Sequence, residues 1–167
     1  ANEKDAYYAA YGWLGTAEKG KDWVPNPSTL WEVRGNSTLS EKTPVTLFWE
    51  NGNGLSFERQ ISIDSDYMFK ITQSVRNTSG ENVNLVPYGM VVRQGEPQDL
   101  MNFFILHEGL IRMSDGELSE ESYGNLQDYE INSNENGNPR AERKEVFEDG
   151  WIGFTDHFWM TSLIPQP

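Results

Sequence analysis

Two short stretches place a histidine beside a carboxylate: "LHEG", with His107 and Glu108, and "TDHF", with Asp156 and His157. An imidazole next to a carboxylate is the usual raw material of acid–base chemistry, because the carboxylate can orient the ring and raise its basicity. Neighbouring residues of a strand point to opposite faces, however, so neither pair forms a dyad by itself. A structural or surface role is the expectation for both. Metal chemistry has less to build on. The chain has no cysteine and two histidines, and these are not at helical ligand spacing. "DSD" (Asp64 to Asp66) lacks the further acidic positions of a calcium loop. Nucleophile elbow, phosphate loop and dinucleotide fingerprint are all missing. The expectation is a chain without catalytic residues, cofactor or metal.

Charge narrows the partners. The 167 residues carry 26 acids against 13 bases, a net charge of −13. That excludes a phosphate-tracking surface, so no nucleic acid is expected. An acidic surface also repels anionic membranes. The acids cluster between Asp115 and Glu130, in "DGELSEESYG" and "GNLQDYE". These read as a solvated edge strand or loop, with a protein-docking surface as the sharper alternative. "NST" at Asn36 and "NTS" at Asn77 match the short glycan-acceptor pattern, which is common by chance.

The elements that must position these residues read as sheet. In "LSFERQISID", Leu55, Phe57, Ile61 and Ile63 alternate with polar Ser56, Glu58, Gln60, Ser62 and Asp64. Period two is a strand with one wet face. "YMFKITQSV" repeats it, with Tyr67, Phe69, Ile71 and Val75 against Lys70, Thr72 and Ser74. "PVTLFWE" sets Val45, Leu47 and Trp49 on one side. "ENGNG" (Glu50 to Gly54) carries two Asn-Gly pairs, a strong hairpin signal. Further strands are expected at Leu30–Val33, Val83–Leu85, Gly89–Arg93 and Asn102–Gly109. "AYYAAYGWLG" near the start has no clean period and stays outside the sheets. Ile131–Glu145 is polar and reads as loop. The pattern predicts an all-β antiparallel sandwich in a single domain spanning 1–167.

The tail, "GWIGFTDHFWMTSLIPQP", is the most apolar stretch of an acidic chain. Its longest apolar run is strand-length, far short of the roughly 20 residues of a membrane helix. Thr155-Asp156 could cap a helix, but the aromatic and β-branched residues from Phe158 to Ile164 favour a strand ended by Pro165. The expectation is core, with Phe158 or Trp159 buried.

At this point the residues resemble a family. "NGLSFERQISIDSDYMFKITQSVRNTSGENVNLVPYGMVVRQGEP", "FFILHEGLIRMSDGELSE" and "GWIGFTDHFWMTSLIP" are similar to the periplasmic domain of the YidC membrane protein insertases. The motif residues are Asn53, Gly54, Phe57, Arg59, Asp64, Tyr67, Pro87, Tyr88, Gly89, Arg93, His107, Glu108, Gly109, Gly150, Trp151, Asp156, Trp159 and Pro165. They run in one order from about Gly12 to Pro165. The resemblance implies a large twisted antiparallel β-sandwich, a supersandwich of the galactose-mutarotase-like kind, of which this chain is part. It implies that the motif residues are structural. It also implies a non-catalytic role on the periplasmic side of the bacterial inner membrane, in an insertase and chaperone whose partners are Sec translocon subunits and nascent membrane proteins. Flanking strands and transmembrane helices would lie outside this chain. The alternative is a carbohydrate-active sandwich, an aldose epimerase or sugar-binding module.

Overall fold

The computed structural model describes residues 6–15, 23–97, 100, 106–129 and 141–166. Its strands are β1 (Tyr7–Gly15), β2 (Glu32–Arg34), β3 (Val45–Glu50), β4 (Leu55–Ile63), β5 (Phe69–Asn77), β6 (Leu85–Arg93), β7 (Gly109–Ser114), β8 (Glu117–Ser122), β9 (Gly150–Thr155) and β10 (Met160–Leu163). A short 3-10 turn, Tyr123–Asp128, follows β8. The chain is all-β with antiparallel sheets, as the period-two pattern predicts. Among the described residues no helix is long and apolar enough to cross a membrane. The chain divides into two compact units, one made of 11–88 and the other of 1–10 with 89–167. The division falls inside β1 and β6, which pair as a two-stranded sheet.

In the 11–88 unit, β2, β3, β4 and β5 form one sheet in that order. Its hairpins follow from local chemistry. At the β3–β4 turn the Asn51 carboxamide oxygen accepts the amides of Asn53 (2.8 Å) and Leu55 (3.1 Å). Gly54 closes the turn at φ +87, where a Cβ would stand 2.7 Å from the Ser79 backbone. No other residue type fits both that dihedral and that approach. Register then places Trp49 opposite Phe57 and Phe57 opposite Val75, on one face. That face meets Trp13 of β1, and Trp13, Leu55 and Phe57 form the buried cluster, flanked by Trp23, Val24, Trp31, Trp49, Val75, Val83 and Leu85. Phe57 is fully enclosed, with Trp13 edge-on at 5.0 Å. Enclosing one such ring stabilises the unit by roughly 1.5–3 kcal/mol.

In the other unit the order is β10-β9-β7-β8. Gly109 opens β7 against Ser122, and a Cβ there would run into the Glu121 backbone. β8, the acidic strand, lies at an edge of this sheet, where its carboxylates remain solvated. Asp115 turns the β7–β8 hairpin with φ 51. Its carboxylate accepts the amides of Glu148 (2.8 Å) and Phe147 (3.0 Å). These bonds, that from Glu148 foremost, hold its pKa below the usual carboxylate value.

Several expectations need correction. "AYYAAYGWLG", set outside the sheets for want of period, is β1 itself. In place of the two short strands expected at Val83–Leu85 and Gly89–Arg93 there is one continuous strand, β6, which begins at Leu85 and runs through Pro87, leaving Val83 outside it. Leu30 lies ahead of β2 and is 91% exposed. Tyr67, expected on the inner face of β5, sits in the preceding turn, and Phe69 at the strand's first position also faces solvent. The tail holds two strands, β9 and β10, and the one expected over Phe158–Ile164 is shorter, at Met160–Leu163. Phe158 and Trp159 precede it in a turn and are 79% and 76% exposed, so the core assignment of these two rings is wrong. The turn is closed by the Asp156 amide donating to the Trp159 carbonyl (2.8 Å), which leaves both rings outside the sheet. Of the strand expected at Asn102–Gly109, residues 102–105 lie outside the described residues, and only Gly109 joins a strand. Of the loop expected at Ile131–Glu145, residues 131–140 lie outside the described residues, and 141–145 have no regular structure.

Candidate functional site

The densest constellation of polar motif residues lies in the 89–167 unit, where the end of β6 faces β9 and its following turn. Arg93 and Asp156, 63 positions apart, form an ion pair through the Arg93 Nη1 and Asp156 Oδ2 atoms. Tyr123, at the start of the 3-10 turn, is buried. Its hydroxyl lies 2.9 Å from Asp156 Oδ1 and 3.2 Å from the Thr155 carbonyl, sharing its proton between them. Burial, and then the bond to the Asp156 carboxylate, push its pKa well above the ordinary tyrosine value. Thr155 donates through Oγ1 to the His107 carbonyl (2.8 Å). Tyr7 completes the group: its hydroxyl bonds that of Thr161, its ring meets Phe154 edge-on at 4.9 Å, and the Arg93 guanidinium lies 5.8 Å from its centre.

This network walls a cleft of about 540 Å³, lined among others by Val91, Arg93, Glu96, Leu110, Tyr123 and Phe154. The lining is mainly aliphatic and aromatic, and none of its residues is a histidine. His107 Nε2 donates instead to the carbonyl of Leu110 in β7 (2.9 Å). Glu108 is buried. His157 packs edge-on against Phe158 at 3.9 Å. Among the described residues neither histidine lines this cleft. Among the described residues no three His, Cys, Asp or Glu side chains come together as metal ligands do.

The other motif residues divide by unit. In the 11–88 unit, Arg59 interrupts the inner face of β4. Its Nη2 donates to the Tyr11 carbonyl (2.6 Å), and the guanidinium lies 5.0 Å from the Trp31 ring centre. Burial lowers its pKa from the usual arginine value. Its partner Gln73, at 3.4 Å, also donates to the Tyr88 carbonyl at 3.5 Å. Asn53 and Gly54 hold the β3–β4 turn, Phe57 the cluster, and Asp64 and Tyr67 the next turn. Pro87 and Gly89 flank Tyr88 on β6, both exposed. In the other unit, Glu108 and Gly109 lead into β7, and Gly150 opens β9 beside the Met113 carbonyl. Trp151 is half-buried opposite Met113, while Trp159 and Pro165 are exposed. The structure therefore joins Arg93 to Asp156 and scatters the rest as turn, core and sheet residues. Sequence reasoning missed Tyr123, Tyr7 and Thr155. Tyr123 carried one signal, a lone aromatic in the acidic "EESYGN" stretch.

The fold and the site together define an all-β chain of antiparallel sheets in which one ion-pair network joins two of the motif residues and most of the others lie in turns and strands. The particular family follows from comparison. The description "YidC periplasmic domain" fits residues 1–167, the whole chain, and the chain belongs to that family. It is 52% identical over its full length to a membrane protein insertase YidC of Ruegeria sp. (strain TM1040), covering 27% of that protein. It is 54% identical to proteins of that name from Roseobacter denitrificans and Jannaschia sp., over 97% and 96% of this chain and 26% and 25% of theirs. The chain thus spans about a quarter of the length of these relatives. No solved structure matches it significantly.

Proposed function

We propose that this chain is the periplasmic domain, or a large part of it, of an inner-membrane protein insertase. In this reading residues 1–167 form one domain on the periplasmic side of the bacterial inner membrane. It assists insertion and folding of membrane proteins by binding and positioning, without catalysis, and its partners are nascent membrane proteins and Sec translocon subunits. The observation that carries the reading is the family match across all 167 residues, with relatives at about half identity named as insertases. The engagement of His107 with the Leu110 carbonyl of β7 supports a role without acid–base chemistry, and the turn, core and network positions of the motif residues support a structural part for them. The test is made in the full-length insertase. Deleting this segment, or substituting Arg93 and Asp156 together, is expected to weaken co-purification of Sec subunits or crosslinking to a nascent membrane protein. Unchanged yields of both would sink the partner assignment. The isolated chain is expected not to speed mutarotation of glucose or galactose; an enhancement lost in His107→Ala would overturn the non-catalytic reading.

A further inference from the structure

The β4–β5 turn presents three successive large apolar side chains to water. Tyr67 is 80%, Met68 54% and Phe69 59% exposed. Single exposed apolar residues are ordinary on any protein surface. A run of three held out by a tightly bonded turn is not. Asp64 organises it: its Oδ1 accepts the amides of Asp66 (2.9 Å) and Met68 (3.0 Å), its own amide donates to the Met68 carbonyl (3.2 Å), and its carbonyl accepts from Tyr67 (3.2 Å). Tyr67 is thereby held at φ 61, a left-handed conformation that bulky residues rarely adopt.

Those bonds point to the medium the turn is built for. The amides of residues 64, 66, 67 and 68 are all donated within the turn, so its tip can leave water without orphaning these donors. That condition is set by hydrocarbon and its boundary; a protein groove supplies polar partners of its own. The side chains suit the boundary as well, with a tyrosine whose hydroxyl can stay among headgroups while the ring and its two neighbours go deeper. Exposed Asp64 and Asp66 on one side and exposed Lys70 on the other match a headgroup bearing both an ammonium and a phosphate. An anionic leaflet would instead meet a chain of net charge −13.

We propose that the turn from Asp64 to Lys70 is a membrane-interface finger that seats Tyr67, Met68 and Phe69 at the headgroup–acyl boundary of a zwitterionic bilayer. It goes beyond the insertase reading and uses it only to put a bilayer nearby. The experiment floats the chain with dioleoylphosphatidylcholine vesicles, with and without phosphatidylglycerol. The parent is expected to float with the neutral vesicles, and less with the anionic ones. The variant Tyr67→Ser/Met68→Ser/Phe69→Ser is expected to lose partitioning by about 10-fold or more, the factor for even one large side chain kept in water. Phe147→Ser, at a ring 83% exposed elsewhere, is expected to float like the parent. Because the chain has no cysteine, Met68→Cys can also carry a single environment-sensitive fluorophore. Its emission is expected to shift blue on neutral vesicles, and that of labelled Phe147→Cys to stay put. A parent that does not float, a triple variant that floats as well, stronger binding to anionic vesicles, or equal shifts at both labels would each overturn the proposal. None of these readouts involves insertion, so their failure leaves the insertase reading standing.

Discussion

The 11–88 unit and the 89–167 unit are both antiparallel sheets, but they are closed by different physics. The first is closed by apolar contact: Phe57, Leu55 and Trp13 are buried together, with further tryptophans and valines around them. Arg59 enters that face by donating to a backbone carbonyl and to Gln73 and by lying beside tryptophan rings. The second has Phe154 and Tyr123 as its buried large rings among the described residues, and Tyr123 is there with its hydroxyl bonded. Its long-range side-chain ties include the Arg93–Asp156 ion pair, a shared proton, two threonine hydroxyls and the Asp115 carboxylate. Apolar closure is non-directional and tolerates small shifts, whereas a polar network holds only while every member keeps its geometry. The comparison teaches that one strand pattern can be stabilised in two ways within a single chain, and that the two should fail differently.

The largest expected effect is in the apolar unit. Phe57→Ala removes a fully enclosed ring and should cost about 3–5 kcal/mol, read as a lowered urea midpoint. A loss of a few tenths would break the claim that this cluster closes the unit. Asp156→Ala should cost less, about 2 kcal/mol, since it strands the Arg93 cation and leaves the Tyr123 hydroxyl only the Thr155 carbonyl. The Arg93 and Asp156 side chains are 20% and 16% exposed, so water softens the penalty below that of a fully buried pair. Equal costs for the two variants would erase the contrast between the units.

The third prediction uses pH. Tyr123 holds its proton more tightly folded than unfolded, because burial and Asp156 disfavour the phenolate. Its contribution is therefore complete below the unfolded tyrosine pKa of about 10, and is lost as pH rises through the higher folded value. The gap in urea midpoint between the parent and Tyr123→Phe should narrow from about pH 8 to about pH 11. A gap that widens would mean the hydroxyl is not held as described. Smallest of all is Trp159→Ala, expected to stay within about 0.5 kcal/mol of the parent because its ring faces water. A loss above 2 kcal/mol would return this residue to the core.

Strand character was legible wherever one face is wet and the other dry. β4 and β5 alternate because water and core impose opposite preferences on successive side chains, and the Asn-Gly turn between β3 and β4 announces its own dihedrals. β1 was not legible. Its YYAAYGWLG mixes small and aromatic residues, and Gly12 is needed because a Cβ there would stand 2.7 Å from the Tyr88 hydroxyl, a contact made across the fold rather than along the chain. The tail misled because composition measures how apolar a segment is and not which way it faces. Phe158 and Trp159 are held out by a backbone bond from Asp156 to Trp159 that no hydropathy pattern encodes.

By itself, then, the amino-acid sequence determined the local terms: alternating strands, the turns that register them, an acidic surface, and the family to which the chain belongs. Only the tertiary structure decided that Arg93 meets Asp156 across 63 positions, that Tyr123 surrenders its hydroxyl to the same carboxylate, and that His107 bonds the Leu110 carbonyl and not a cleft. The reason is one of range. Periodicity and turn chemistry act over a few residues and leave a local imprint, whereas a side-chain network between distant strands depends on register and on which face each strand turns inward.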